Sequence, residues 1–510
     1  MTEKGHSINL SPGNIDDQDD VKTTILHSIE NRDIEKGSSL HPIGSEANRA
    51  LSYYDKQIDY TKDEERTVVR KIDFKMTPFL AVTYGLQYID KVTLGYAATY
   101  GLQENTHLVG TEYNWLSCAF YFTYLVCEWP AVTLMQKFKL SKFLAVNVFI
   151  WGGILMCHAA ANNFAGLMVC RLLLGVFEAT ISPGSNLLTG RFYRKKELPF
   201  RISCWVSFNG MGQVFGGLLA YGIGNINGSL PSWKYVFLIL GALTSVWSII
   251  LFFFLDSSPT DARFLSEREK SIAVSRVAEN KSGISLESKI QRYQIVDAIT
   301  DPQIILIFLI AVAMTMPNGG ITNFLSLVIK GLGYSPVQSV LHQLPVGAVQ
   351  FFMMLAGGYS ISKIPNSSIL VSIFWMLPCL ICSALLWKLP RSNQIGLLVS
   401  TYFLSSFVVT MIAILSLFNT NVAGTTKKGT ANASYFIGYC IGNIGGPFLF
   451  KTNQAPTYDD GSIMMVVCFS LCIVMLLILR AYYMYENARR RKSLHEQGID
   501  PASHKTESEK

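Results

Sequence analysis

Charge is what this sequence has least of. Only 15% of its 510 residues are Asp, Glu, Lys or Arg, against about 25% in a soluble domain. The charge present is confined: residues 1–75, 256–302 and 480–510 hold 53 of the 79 charged side chains, and the other 357 residues hold 26. A soluble fold of that size needs a charged surface, so a disordered chain and an ordinary cytosolic enzyme are excluded. Polar loops also lack cysteine. All ten cysteines (118, 127, 157, 170, 204, 379, 382, 440, 468, 472) lie in apolar runs, which excludes a secreted disulfide scaffold and leads us to expect free, buried thiols. Cys379 and Cys382 form a CxxC without further ligands, so no metal site is expected. The first 75 residues are polar and show no secretory signal. No His/Asp/Ser constellation, metal-ligand spacing or phosphate loop occurs, so neither a cofactor nor enzyme chemistry is expected. The net charge of +7 does not point to nucleic acid, because the basic residues flank apolar runs.

Apolar runs fill the rest. A membrane span needs about 20 apolar residues, and twelve candidates lie near 77–100, 112–134, 143–162, 165–188, 201–224, 234–255, 303–328, 338–360, 368–388, 394–418, 431–450 and 462–484. The seventh contains Pro317-Asn318-Gly319-Gly320 and the eighth His342 and Pro345; interruptions are tolerated where a helix lines protein or a cavity. The expected fold is an all-α membrane protein of two six-helix halves, 76–255 and 303–484. A cytoplasmic loop, 256–302, joins them, and cytoplasmic tails, 1–75 and 485–510, flank them. The start of the N-terminal tail reads as disordered, and Tyr60–Lys75 as a charged lead-in helix against the membrane. Basic residues of short loops set orientation. With the N-terminus inside, inner loops carry eleven (Lys137, Lys139, Lys142, Arg191, Arg194, Lys195, Lys196, Arg201, Lys363, Lys427, Lys428) and outer loops five (Lys234, Lys330, Lys388, Arg391, Lys451). Both termini are therefore expected in the cytoplasm. Asn227-Gly228-Ser229 is a glycosylation sequon in a predicted outer loop.

The halves carry traces of a duplication. Gly166-Leu-Met-Val-Cys-Arg171 opens the fourth span, and Gly396-Leu-Leu-Val-Ser-Thr401 opens the tenth at an offset of 230. Gly212, Gly216 and Gly217 in the fifth span are matched by Gly442, Gly445 and Gly446 in the eleventh, 229–230 residues on. Small residues on one face let helices pack closely, and repeated halves place a substrate site between them near the midplane.

An ionisable group at membrane depth costs about 2.5–3.5 kcal/mol even on the lenient insertion scale, so it faces protein or water. The candidates are Asp90 and Lys91 in the first span, Glu128 in the second, His158 in the third, and Arg171 and Glu178 in the fourth. The second half offers only His342. With a rise of about 1.5 Å per residue, Asp90 lies about 15 Å below the outer end of its span and Arg171 about 10 Å below its own. The two can reach one level, where an Asp–Arg pair would keep both charged. Asp90 and Arg171 are assigned to a transport path. Lys91, adjacent to Asp90, could bind an anion. Glu178 is open between path and helix latch, and Glu128, before Trp129-Pro130, reads as a latch. His342-Gln343, Asn318, Asn323 and Asn419 are candidates for path-lining hydrogen bonds, each with a purely structural alternative.

The fourth span, Arg171-Leu-Leu-Leu-Gly175-Val-Phe-Glu178-Ala179 followed by Ser182-Pro183-Gly184 and Arg191-Phe192-Tyr193, resembles the Arg-x3-Gly-x3-Ala element of the major facilitator superfamily. Its Glu, Pro-Gly and basic-aromatic end resemble the anion:cation symporter branch, the fungal allantoate permease-like transporters. Tyr88-Ile-Asp-Lys-Val-Thr-Leu94, Leu255-Asp-Ser-Ser-Pro259, Ala262-Arg-Phe-Leu-Ser-Glu267 and Gln343-Leu-Pro-Val-Gly-Ala348 match the same group. The loop between the second and third spans departs: Gln136-Lys-Phe-Lys-Leu-Ser-Lys142 has neither the Gly nor the Asp of the superfamily loop. The resemblance implies a permease that takes up a small organic anion (a ureide, a carboxylate, or a vitamin such as nicotinate, pantothenate or biotin) with protons, and a monomer is expected. The plasma membrane is favoured, with endoplasmic reticulum and vacuole open. Two alternatives stay open: a proton-driven efflux transporter of metabolites or drugs, and a nutrient sensor that binds without transporting.

Overall fold

The computed structural model describes residues 49, 52–53, 59–278 and 292–496, apart from 136, 195–196, 227, 365–366 and 423–424. Asn227 and most of residues 1–58 thus lie outside the described residues. Twelve helical passes follow in chain order. The first half contains Lys62–Thr99, Glu112–Met135, Leu140–Cys157, Phe164–Phe192, the pair Leu198–Val206 and Phe208–Gly224, and Ser232–Phe254. The second contains Pro302–Lys330, the pair Pro336–Leu341 and Leu344–Lys363, Ser368–Lys388, the pair Gln394–Phe403 and Val408–Asn421, Thr425–Gly445, and Asp459–Glu496. They are called the first to twelfth spans. The chain reverses at each loop, so the start of Lys62–Thr99, the helices Glu267–Ala278 and Arg292–Thr300 and the end of Asp459–Glu496 share one face, the tail face; the opposite one is the far face.

Eight of these helices are long and apolar enough to cross a membrane. The first, second, fifth and eleventh spans are not among them. The first carries Asp90 and Lys91, the second three tyrosines and Asn114, and the eleventh Lys427 and Lys428; the fifth is broken at Ser207. All four lie at the seam between the halves, first on seventh, second on eleventh and fifth on eighth. Protein covers much of their surface there, which removes the demand for lipophilic side chains. Lipid-facing side chains sit on the outer spans: Phe149 on the third, Phe253 on the sixth, Phe374 and Ile381 on the ninth, Val474 and Leu477 on the twelfth, all exposed.

The duplication is visible in the packing. First packs on fifth and seventh on eleventh, third on sixth and ninth on twelfth, second on fourth and eighth on tenth. The repeated glycines make these approaches possible. A Cβ on Gly212 would lie 3.1 Å from Gly85 Cα and one on Gly216 3.1 Å from Ile89 Cγ1. In the second half, Cβ atoms on Gly442, Gly445 and Gly446 would come 2.9 Å from Met316 N, 3.3 Å from Met316 Cε and 3.1 Å from Gly320 N. Gly175 plays this part between the fourth and second spans, 3.2 Å from Phe120 C, whereas Gly217 faces Leu344 of the other half at 3.1 Å.

Pro317 does not break the seventh span, which is one helix. The eighth is interrupted at His342-Gln343, as its sequence suggests. Breaks in the fourth at Ala179-Thr180 and in the tenth at Leu404–Phe407 carry no such signal. The charged lead-in is continuous with the first span and is started by a capping box between Thr61 and Glu64. Its buried stripe, Val68, Ile72 and Met76, recurs every four residues and lies against the helix Glu267–Ala278 and the start of the fifth span. All ten cysteines are free; six are buried, three half-buried, and Cys157 is exposed on the third span.

Candidate functional site

Helical spacing decides which side chains of the fourth span face inward. Arg171, Leu174, Gly175 and Glu178, at i, i+3, i+4 and i+7, are buried, while Val169 and Leu173 on the other side of the helix are exposed. Glu178, next to the helix break, has no exposed surface at all. Its counter-charge comes from the first span: Lys91 Nζ lies 3.7 Å from Glu178 Oε1. The same ammonium sits 5.6 Å from the Phe120 ring centroid and 6.0 Å from that of Tyr124, positions where ring quadrupoles attract a cation. Lys91 keeps 19% of its side chain exposed, so of the cluster's charges it is the one that reaches open space.

Asp90, one residue earlier, lies between Glu178, with which its carboxyl interacts, and the third span. Its Oδ2 accepts a hydrogen bond from Trp151 Nε1 of the third span at 2.7 Å. No direct ion pair joins it to Arg171 among the described residues. The expected Asp–Arg pair is corrected in this respect: depth arithmetic puts the two at one level, but Asp90 faces the third span. Asp90 and Arg171 still act on one another through space, as do Arg171 and Glu178. Buried polar atoms without a close, well-directed hydrogen bond collect here: Gln87 Nε2, Asp90 Oδ1, Arg171 Nε and Nη2, and both oxygens of Glu178, which interacts only loosely with Gln87 and Asp90. Such atoms are expensive in a folded core, and their concentration marks a place built for something other than stability.

A belt of tyrosines and amides from both halves lines the seam beside this cluster. Tyr121 and Tyr124 of the second span meet Tyr439 and Phe436 of the eleventh, with ring centroids 6.1 and 6.4 Å apart. The single Tyr88 OH hydrogen is shared between Gln350 Oε1 across the seam and Gln213 Oε1 within its own half, both 3.5 Å away. Gln213 Nε2 donates to Gln343 Oε1 at 3.4 Å, and Gln343 passes the chain on to Ser326. Tyr88, Tyr121, Tyr124, Gln213, Gln350 and Tyr439 were not singled out by sequence. The available signal was their polarity within otherwise apolar spans, which a search for charge overlooks.

The remaining candidates are placed as follows. Asn318 Nδ2 donates to Asn443 Oδ1 at 2.8 Å, tying the seventh span to the eleventh. Asn323 spends its amide on Gly319 O of its own helix. His342 packs on the Tyr334 ring at 4.4 Å beside the break in the eighth span. His158 is buried, stacked on Phe237 at 4.8 Å. Glu128 is half-buried with no hydrogen bond or ion pair among the described residues, so the latch expected of it has no partner there. The side chain of Asn419 lies outside the described residues.

Beyond this belt the halves are closed toward the far face. Tyr113 OH donates to Asn323 O at 2.9 Å, Asn114 Nδ2 to Pro447 O and Phe450 O, and Lys330 Nζ to Thr99 O at 3.4 Å. A Cβ on Gly95 would lie 2.9 Å from Asn323 O.

The pattern that defines the Major Facilitator Superfamily matches residues 80–447. An uncharacterised transporter of Schizosaccharomyces pombe is 40% identical over 443 residues, 87% of this chain and 84% of its own. The allantoate permease of Saccharomyces cerevisiae is 34% identical over 457 residues, 87% and 84% of the two chains, and a thiamine pathway transporter of that yeast 31% identical over 491, 95% and 91%. Among solved structures, a D-xylose–proton symporter superposes with a TM-score of 0.59 at 13% identity, covering 78% of this chain and 97% of its own. A bacterial homologue of the human lysosomal transporter Spinster, inward-facing and occupied, gives 0.57 at 16% identity, covering 81% and 96%.

Proposed function

The chain belongs to the major facilitator superfamily of multi-pass membrane transporters and is not an enzyme, and from that premise we propose that it takes up a small organic anion together with protons. The observation that carries this reading is Lys91, a partly exposed ammonium pinned between Glu178 and two aromatic rings at the seam of the halves. An anion entering the seam meets a cation already desolvated on three sides, where attraction is far stronger than in water. Binding competes with Glu178 for that cation. A proton on Glu178 releases Lys91 to the anion, and a proton and an anion then enter together. Arg171, buried and without an ion pair among the described residues, draws negative charge toward the cluster, and Asp90, held by Trp151, is the second carboxylate able to take a proton. The tyrosines and glutamines at the seam supply neutral hydrogen bonds and stacking surface, which suits planar carboxylates and ureides such as the substrate in the name of its yeast relative.

Alternating access follows from the two-half build. With tails in the cytoplasm, the far face is the outside, and its seal of Tyr113, Asn323 and Asn114 must part for the anion to enter. The plasma membrane is the address that fits uptake. The test is accumulation of labelled allantoate, nicotinate and small carboxylates in a strain lacking the gene, at two external pH values. Uptake restored by the chain and stronger at the lower pH supports the reading; export of preloaded label down a proton gradient would reverse the direction and sink it.

A further inference from the structure

At the tail face, outside the seam, the lead-in of the first span builds a second site. Lys62, Arg66 and Arg70 follow one another every four residues, so they form one stripe, and Phe74 continues it. The opposite side of the helix carries buried Val68 and Ile72. Between this stripe and the start of the fifth span lies a cavity of about 410 Å³, lined by Lys62, Glu65, Arg66, Arg70, Asp73, Glu197 and Arg201 among others. Its acids are spent. Arg276 Nε and Arg194 Nη1 hold Glu65 at 2.9 and 2.7 Å, Arg276 Nη2 holds Glu197 at 2.7 Å, and Arg201 Nη2 holds Asp73 at 3.2 Å. Its cations on the first span are not: Lys62 and Arg70 have no ion-pair partner among the described residues, and Arg66 reaches only Asp63, itself 89% exposed. Below the cations, Phe74 is 86% and Phe200 51% exposed. Exposed aromatics at a membrane edge enter the boundary between headgroups and acyl chains.

We propose that this cavity binds the phosphate of an anionic membrane phospholipid, with Lys62, Arg66 and Arg70 around the headgroup and Phe74 and Phe200 against its acyl chains. The cations and the aromatics are set in the order in which a lipid presents phosphate and hydrocarbon, and no residue of the second half lines the cavity. A lipid there can remain while the halves rock.

The test uses the full chain in vesicles of phosphatidylcholine alone or mixed with phosphatidylserine, reading the anionic lipid retained on purification and the melting midpoint. We expect selective retention of phosphatidylserine and a higher midpoint in the mixed vesicles. Exchange of each cation lowers the apparent affinity about fivefold, so K62Q, R66Q and R70Q each lose part of the retention, and the triple variant nearly all of it. R489Q/R490Q, in the exposed basic cluster of the twelfth span, keeps it. Should the triple variant run aggregated on gel filtration, the single variants decide. Unchanged retention in the variants, equal loss in R489Q/R490Q, or a midpoint shift as large with glycerol 3-phosphate in phosphatidylcholine vesicles would overturn the proposal, the last by assigning the site to soluble phosphates.

Discussion

Trp151 Nε1 donates to Asp90 Oδ2 at 2.7 Å, joining a buried carboxylate of the first span to the third span. The third span faces lipid on its other side, through Phe149. One oxygen of the carboxylate is thus held from the bundle's periphery, while the group still interacts with Glu178 in the central cluster. Trp151→Phe keeps most of the ring volume and removes the donor. A hydrogen bond to a charged group is worth about 1.5–3 kcal/mol. We expect a lower melting midpoint in detergent and reduced uptake at normal surface abundance, with Asp90→Asn abolishing uptake. Full transport by Asp90→Asn would remove Asp90 from the mechanism.

Lys91 and Glu178 form a pair whose members do different work. Lys91→Ala leaves Glu178 buried without its cation, a loss of about 3–5 kcal/mol if the carboxylate stays charged; we expect no uptake and a lowered melting midpoint. Glu178→Gln removes the charge and keeps the shape, so the fold should survive while uptake loses its dependence on external pH. Arg171→Ala should also abolish uptake while the protein still reaches its membrane. Counterflow of labelled substrate in proteoliposomes separates these outcomes, because exchange needs the anion site without net proton movement. Counterflow by Lys91→Ala at the wild-type rate would remove Lys91 from the anion site.

The glycines divide into those that build a half and those that let the halves meet. A Cβ on Gly210 would lie 2.6 Å from Phe351 N, and one on Gly347 2.9 Å from Gln213 Cβ, both across the seam. Gly212 meets Gly85 within the first half. Gly210→Val should therefore leave each half folded and lower transport by shifting the balance of open and closed states, whereas Gly212→Val should cost stability. Gly190, with nothing within 4 Å of its added Cβ, accepts alanine with no loss, because alanine is the better helix former by about 1 kcal/mol. Melting curves beside uptake rates discriminate the three.

Arg276 is fully buried at the tail face and bridges Glu65 to Glu197. Arg276→Ala should destabilise by no more than about 3 kcal/mol, because both acids stay about one-fifth exposed and Glu65 keeps Arg194. Limited proteolysis should then cut near the helix Glu267–Ala278 sooner than in the wild type. Equal cleavage rates would show that the bridge does not hold that helix.

Span number and order were legible because the length of an apolar run is a local property, and the offset of Gly212 and Gly442 gave the duplication. Facing was not legible. Asp90 and Arg171 share a depth, which rise per residue supplies, but their directions depend on where the third span puts Trp151. Tyr88 and Gln350 meet across 262 positions of sequence, and no periodicity within either span announces that partner. The second and eleventh spans look weak by apolarity for the reason that makes them interesting: their polar faces are turned to each other.

Among the described residues, the ion pairs that leave the helix Glu267–Ala278 run to the first half and the segment before it. Arg268 reaches Glu64, Glu269 reaches Lys71, Glu267 reaches Tyr53, and Arg276 reaches Glu65 and Glu197. In any rocking cycle this clasped connector travels with spans one to six as a single block. Spin labels at Ser271 and Arg66 would then keep a constant separation through turnover, while a label at Thr300 would drift from both.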